Sequence, residues 1–214
     1  MRKISKGSEP KLLTAWKKAN PTGTYQELSH QVRKHVRQVN IDEQFGLCAY
    51  CCQRIDASNS MNEHVEAKAI APNRGLDFSN IVASCTTPNQ CDRAHQSKPL
   101  PLTPLMDACE TELKFYLAGR VKGLSPRAST SIDVLNLNSK RLINCREQAV
   151  DALLYGGGSN PEEIELLEDE LIEILLEDFK EVGKDHLLAP YSPVLVSILG
   201  GIRKKLTPDK KLQE

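Results

Sequence analysis

Apolar residues recur at helical spacing through both flanks of this chain and give way, between them, to a stretch punctuated by cysteines. Over 11–19, Leu12, Leu13 and Trp16 share a helical spacing, and Asn20-Pro21 ends the run. Trp16 reads as a core anchor. Over 25–45, Leu28, Val32, Val36 and Val39 mark one face of a long helix, with Arg33, Lys34 and Arg37 on the other. Thr103-Pro104 supplies a cap followed by proline, which predicts a helix to about residue 113. The run 115–121 reads as strand, turn at Gly119 and return strand. Helices are expected over 130–135 and 139–154, the second with Leu142, Ile143, Ala149, Val150 and Leu153 inward. A Gly-Gly-Gly-Ser-Asn linker at 156–160 precedes an acidic amphipathic helix to about 182, striped by Ile164, Leu167, Leu171, Ile174 and Leu175. Prolines at 190 and 193 break the chain before a last apolar helix over 194–205.

The middle, 47–98, carries the chemistry. It opens with Cys48-Ala49-Tyr50-Cys51 and passes through Asn62-Glu63-His64, then Asn80 and Cys85. It closes with Cys91-Asp92-Arg93-Ala94-His95. Thiolates at Cys48, Cys51, Cys85 and Cys91 suit a soft tetrahedral ion such as Zn²⁺ in a closed structural site. Cys52 offers an alternative to Cys51, and spacing favours Cys51. The spacer 86–90 is longer than the usual two residues, which its Pro88 and Asn89 can form into a loop. Carboxylate, imidazole and amide oxygen suit a harder ion with positions left open for water and substrate. Strand alternation would send Glu63 and His64 to opposite faces, so a bulge or twist is expected to bring them together. Cys109 and Cys145 lie among apolar neighbours and read as core.

Twenty-eight basic and 28 acidic residues give zero formal net charge, but unevenly distributed. Basic residues dominate 2–37 and acidic ones 162–185, so a polyanion is expected against the first part and away from the second. Seven cysteines, with no apolar run after Met1-Arg2-Lys3-Ile4-Ser5-Lys6 to make an export signal, point to a reducing cytoplasm rather than a disulfide framework. No apolar run approaches the ~20 residues of a membrane span, so no membrane partner is expected.

The order Cys-x-x-Cys, Glu-His, Asn, Cys, Cys resembles the HNH endonucleases. The likeness extends to the PtuB-type HNH nucleases of Septu anti-phage and retron-associated systems. That branch shares the Met-Arg-x-Ile-x-Lys start, a segment like Pro101-Leu102-Thr103-Pro104-Leu105, and a later Leu135-Asn136-Leu137-Asn138. The resemblance covers roughly 1–154. It implies an α+β, mostly helical chain in which a ββα-metal core with a structural zinc knuckle is embedded in helices. The divisions are a basic helical region (1–46), the nuclease core (47–100), a helix/hairpin/helix extension (101–155) and an acidic helical region with its linker (156–214). It also implies a metal-dependent DNA endonuclease working with a PtuA-like ABC-type ATPase in anti-phage defence. His64 would be the general base. Glu63 would ligate a catalytic Mg²⁺ or similar ion with His95 or Asp92, and Asn80 would orient the histidine-bearing loop. Arg33, Lys34, Arg37, Lys68, Arg93 and Lys98 are the candidate phosphate contacts. Two other classes stay open: a non-catalytic zinc-binding adaptor for nucleic acid or an ATPase, and an RNA-directed nuclease on the same centre.

Overall fold

A computed structural model describes residues 1–155 and 169–206; the 156–160 linker and the start of the acidic helix lie outside the described residues. The fold is α+β, with helices around two separate two-stranded antiparallel sheets. In chain order the elements are α1 (Lys11–Ala19), α2 (His30–Glu43), β1 (Ser60–His64), β2 (Ile81–Cys85) and α3 (Asp92–His95). Then come β3 (Leu113–Phe115), β4 (Val121–Gly123), α4 (Pro126–Val134), α5 (Lys140–Tyr155), α6 (Asp169–Lys180) and α7 (Ser192–Leu206). None of the described helices is long and apolar enough to cross a membrane.

The helix expected over 25–45 is two pieces. A Thr24/Glu27 capping box closes a 3₁₀ turn over Tyr25–Glu27, and Ser29 caps α2 by accepting from the Val32 amide. Val32 and Val36 then bury against Leu13, Leu28, Phe78 and Ile81, with Trp16 packed at the margin. Leu12 points outward, so α1 buries one fully apolar position rather than a stripe. This cluster clamps the amino-terminal helices onto β1 and β2.

β1 and β2 pair without interruption from Ser60↔Cys85 to His64↔Ile81. The bulge anticipated at Glu63-His64 is absent, and the site is assembled differently, as described below. Behind this hairpin, Cys48, Tyr50, Cys51, Cys85 and Cys91 sit inside the main core with Leu102, Leu113, Leu135, Leu142 and Ile198. The cysteine cluster is therefore central to the fold.

The helix expected from Thr103-Pro104 does not form. Its backbone is claimed elsewhere: the Leu102 amide donates to Ser131 Oγ and the Pro104 carbonyl accepts from Ile4. Only a 3₁₀ turn, Asp107–Glu110, precedes β3. The β3–β4 hairpin turns at Gly119 as the sequence suggests. Gly119 has φ +71°, and a Cβ there would stand 2.1 Å from the Ile143 carbonyl oxygen, so no side chain fits. At the carboxy-terminal end, α6 packs on α7 through Ile172, Leu176 and Leu199. Leu171 and Ile174, expected to face inward, are exposed at 43% and 56%. The alternative stripe Ile172, Leu175, Leu176, Phe179 repeats at the same helical spacing and is the one that packs on α7.

Candidate metal centre and catalytic cleft

The knuckle begins just after an isolated bridge between Leu47 and Arg54. The Cys48 amide donates to the Gln53 carbonyl, Cys52 N–H donates to the Cys48 carbonyl, and Ala49 N–H reaches across to Ala83 of β2. These bonds hold the turn against the end of the hairpin. The Sγ atoms of Cys48, Cys51, Cys85 and Cys91 all lie within 4.8 Å of one another, and all four residues are buried. Cys51 and Cys85 stand 4.0 Å apart, too far for a disulfide. Tetrahedral zinc with Zn–S near 2.3 Å sets its sulfurs about 3.8 Å apart, so the set fits a zinc ion. Burial, followed by the neighbouring thiols, pushes Cys51 and Cys91 well above the ordinary thiol range, while hydrogen bonds from the other three hold Cys85 far below it. Ionising all four calls for a cation among them. Cys52 lies in a different cluster, with Leu47 and Leu188. The long 86–90 spacer folds so that Gln90 Nε2 approaches Cys85 Sγ at 3.5 Å and Cys51 Sγ at 3.9 Å.

The same turn reaches the carboxylate of β1. Tyr50, between the two knuckle cysteines, donates its hydroxyl to Glu63 Oε1 at 3.1 Å. Burial lifts the tyrosine's pKa well above 10, so it stays a phenol donor. His95 Nδ1 stands 2.5 Å from the same Oε1, and His95 Nε2 lies 2.8 Å from the Lys98 carbonyl. A carbonyl only accepts, so Nε2 carries the proton and Nδ1 turns its lone pair toward the carboxylate. Two lone pairs facing each other require a proton or a cation between them, and this donor set fits a divalent ion. Asp92 opens α3 beside them. Burial, and then the nearby Glu63 carboxylate, hold its carboxyl up at about 8. Burial likewise raises Glu63 and lowers His95. Among the described residues, the four cysteines are the one group of three or more His, Cys, Asp or Glu side chains gathered closely enough to hold an ion.

His64 lies on the other side of the strand. Its Nε2 donates to the Gly75 carbonyl at 2.9 Å, which leaves the lone pair on Nδ1, and its ring meets Tyr25 edge-on at 4.6 Å. Burial lowers its pKa below 6.5. Alternation is thus kept, with Glu63 directed to the knuckle and α3 and His64 to the loop carrying Gly75. Both residues nevertheless line one cleft of about 590 Å³, together with Asp92. Regular pairing of β1 thus leaves both residues on the lining of one cleft without a bulge.

Asn80 is buried and bonds the loop after His64 to the start of β2. Its Oδ1 accepts from the Glu66 amide at 2.8 Å, and its Nδ2 donates to the Glu66 carbonyl at 3.0 Å and the Arg74 carbonyl at 3.4 Å. Helix α2 supplies His30, Arg33, Lys34 and Arg37 to the cleft lining, and the loop after His64 supplies Lys68. Arg33 and Arg37 also brace the wall, donating to the Gln26, Leu28 and Ser60 carbonyls. Arg93 and Lys98 are exposed and outside the cleft lining. Four of the six cations named from sequence are therefore gathered there. Tyr50, Tyr25, His30 and Gln90 enter through contacts between distant segments. Only Tyr50 had a signal available, its place inside the cysteine knuckle.

The chain is 31% identical over 96 residues to a retron Ec83 putative HNH endonuclease from Escherichia coli. It is also 31% identical over 94 residues to the Septu protein PtuB from Bacillus thuringiensis. The chain resembles PtuB-type HNH proteins. The matches cover 40% and 42% of this chain and only 37% and 36% of those relatives' lengths. No family model matches.

Proposed function

We propose that this chain is a metal-dependent HNH endonuclease that hydrolyses DNA phosphodiester bonds from a ββα-metal core, residues 47–100. One observation carries the reading: Glu63, His64 and Asp92 line a single cleft that Arg33, Lys34, Arg37 and Lys68 also line. A divalent ion held by Glu63 with His95 or Asp92 would neutralise the non-bridging oxygens and stabilise the leaving 3′ oxygen. The protein's own residues do the rest. His64 takes a proton from water at Nδ1, because Nε2 is committed to Gly75. Asn80 keeps Gly75's loop in place and so preserves that tautomer. The cations of α2 and Lys68 draw the polyanion in and fix its register. The flanking parts, 1–46, 101–155 and 156–214, frame this core in the same reading.

The Septu likeness supports anti-phage defence as the setting and a PtuA-like ABC-type ATPase as partner. The test is cleavage of plasmid DNA, with RNA in parallel, by zinc-loaded protein with Mg²⁺ or Mn²⁺. Wild type is run beside His64→Ala, with and without the ATPase. Cleavage should be lost in the variant while zinc content and fold persist. Cutting of RNA alone would move the substrate class. Absence of any cutting, even with the partner, would leave a zinc-binding adaptor.

A further inference from the structure

Arg146 is the largest fully buried side chain, 1% exposed, and it projects from α5 into the main core. Its Nη1 donates to the Gly119 carbonyl at 2.8 Å and its Nη2 to the Leu137 carbonyl at 2.5 Å. Its guanidinium carbon stands 5.4 Å from the Phe115 ring centroid, and Nε is buried without a partner. Among the described residues no carboxylate forms an ion pair with it. Two carbonyls and a ring solvate such a charge only in part, and arginine does not shed its proton to escape.

The ionisable acids nearby are cysteine thiols and the Tyr191 phenol. Cys91 N–H donates to the Leu135 carbonyl, two residues from the Leu137 carbonyl that Arg146 holds. Burial works against the charged guanidinium and lowers its pKa, while Cys51, Cys52, Tyr191 and Cys91 favour the charge. A second line leads from the same helix to the cysteine cluster. Arg141 donates to Gln90 Oε1 at 3.3 Å and to Gln53 Oε1 at 3.2 Å, and Gln90 turns its amide nitrogen toward Cys85 and Cys51. A divalent ion on four thiolates carries two negative charges, and in an apolar core that charge needs compensation.

We propose that α5 is the electrostatic partner of the tetrathiolate centre, with Arg146 as its buried counter-charge and Arg141 acting through the Gln90 amide. The inference rests on the reading that Cys48, Cys51, Cys85 and Cys91 hold zinc. These are positioning residues, and their effect on cleavage is indirect. They make the core favour the ionised, metal-loaded cluster over four neutral thiols, so the arginine is stabilising with zinc and costly without it.

The experiment compares wild type, Arg146→Met and Arg146→Lys for zinc content, zinc loss to a chromogenic chelator, and melting temperature before and after stripping the metal. Zinc content of wild type tests the underlying reading; a protein purified without zinc, and taking up none, overturns both. Given a zinc protein, Arg146→Met should lose the ion about 10–100-fold faster, with Arg146→Lys in between. The melting order should also reverse, the methionine variant melting below wild type when loaded and above it when stripped. Equal destabilisation in both states with an unchanged release rate would overturn the proposal and leave Arg146 as a brace for Gly119 and Leu137. Should Arg146→Met fail to fold, Gln90→Glu, which sets a negative charge beside the thiolates, must speed zinc release. Wild-type release from that variant would equally overturn it.

Discussion

Replacing Tyr50 by phenylalanine removes one oxygen from the contact that joins the two candidate metal sites. The phenol donates to Glu63 Oε1 at 3.1 Å, and both residues are buried, so water cannot substitute for it. A hydrogen bond to a charged group contributes about 1.5–3 kcal/mol. At about 1.4 kcal/mol per decade, that is roughly 10–100-fold in the affinity of whatever Glu63 ligates, the range expected for losing an outer-sphere partner of a metal ligand. Phenylalanine keeps the ring that packs at 6.4 Å from His95, so the fold and the zinc should be retained. The assay is calorimetric titration of Mn²⁺ into zinc-loaded protein, wild type beside Tyr50→Phe, with zinc content measured on the same samples. The expected outcome is Mn²⁺ binding weakened within that range at unchanged zinc stoichiometry. Unaltered Mn²⁺ affinity would refute the reasoning, because the knuckle would then not be orienting the carboxylate.

Three further outcomes follow from the site. Asp92 titrates at about 8 without metal, so it is mostly protonated at pH 7. If it ligates the ion, binding at pH 7 should release close to one proton, and affinity should rise with pH until about 8; titrations in buffers of different ionisation enthalpy would show this, and no proton release would remove Asp92 from the ligand set. Asn80→Ala removes three side-chain hydrogen bonds and leaves the Glu66 amide without its partner, so it should cost about 2–4 kcal/mol in urea denaturation. Lys34→Glu with Lys68→Glu should weaken binding of DNA to protein without Mg²⁺ and flatten its dependence on log salt by about one unit or more per charge, while zinc content stays constant.

Parts of this molecule were legible because their signal is local. Cysteine spacing, the Val32–Val36–Val39 part of the expected Leu28–Val39 face and the Gly119 turn each depend on a few neighbouring residues, and each is realised. The helix from Thr103-Pro104 failed although its cap and proline were correct, because Ile4 and Ser131 claim the backbone groups at its start. The α6 stripe failed for a different reason: the segment is apolar enough to offer two inward faces, and only packing on α7 selects one. The Glu63-His64 pair misled through its own logic, since convergence seemed to need a bulge. A regular strand with both residues on the lining of one cleft is found instead. Arg146 left a trace that could have been read. It falls at helical spacing from Leu142, Val150 and Leu153, a lone charge within an apolar stripe.

Helix α3 has a consequence for how Asp92 and His95 would part from Glu63. It is a single turn of four residues, preceded by Cys91 at φ 53° and followed by Gln96 at φ 54°, conformations that cost a non-glycine residue about 1–3 kcal/mol each. So short a helix has no stability of its own. It is held by Cys91 in the thiolate cluster, by the Asp92 amide on Ser84 Oγ, and by the two contacts of the His95 ring. Zinc starvation would therefore melt this turn first, as local unfolding well below the global transition, carrying Asp92 and His95 away from Glu63 while β1 and β2 stay paired. The amides of Ala94, His95 and Gln96 would then exchange with solvent at a rate set by zinc supply.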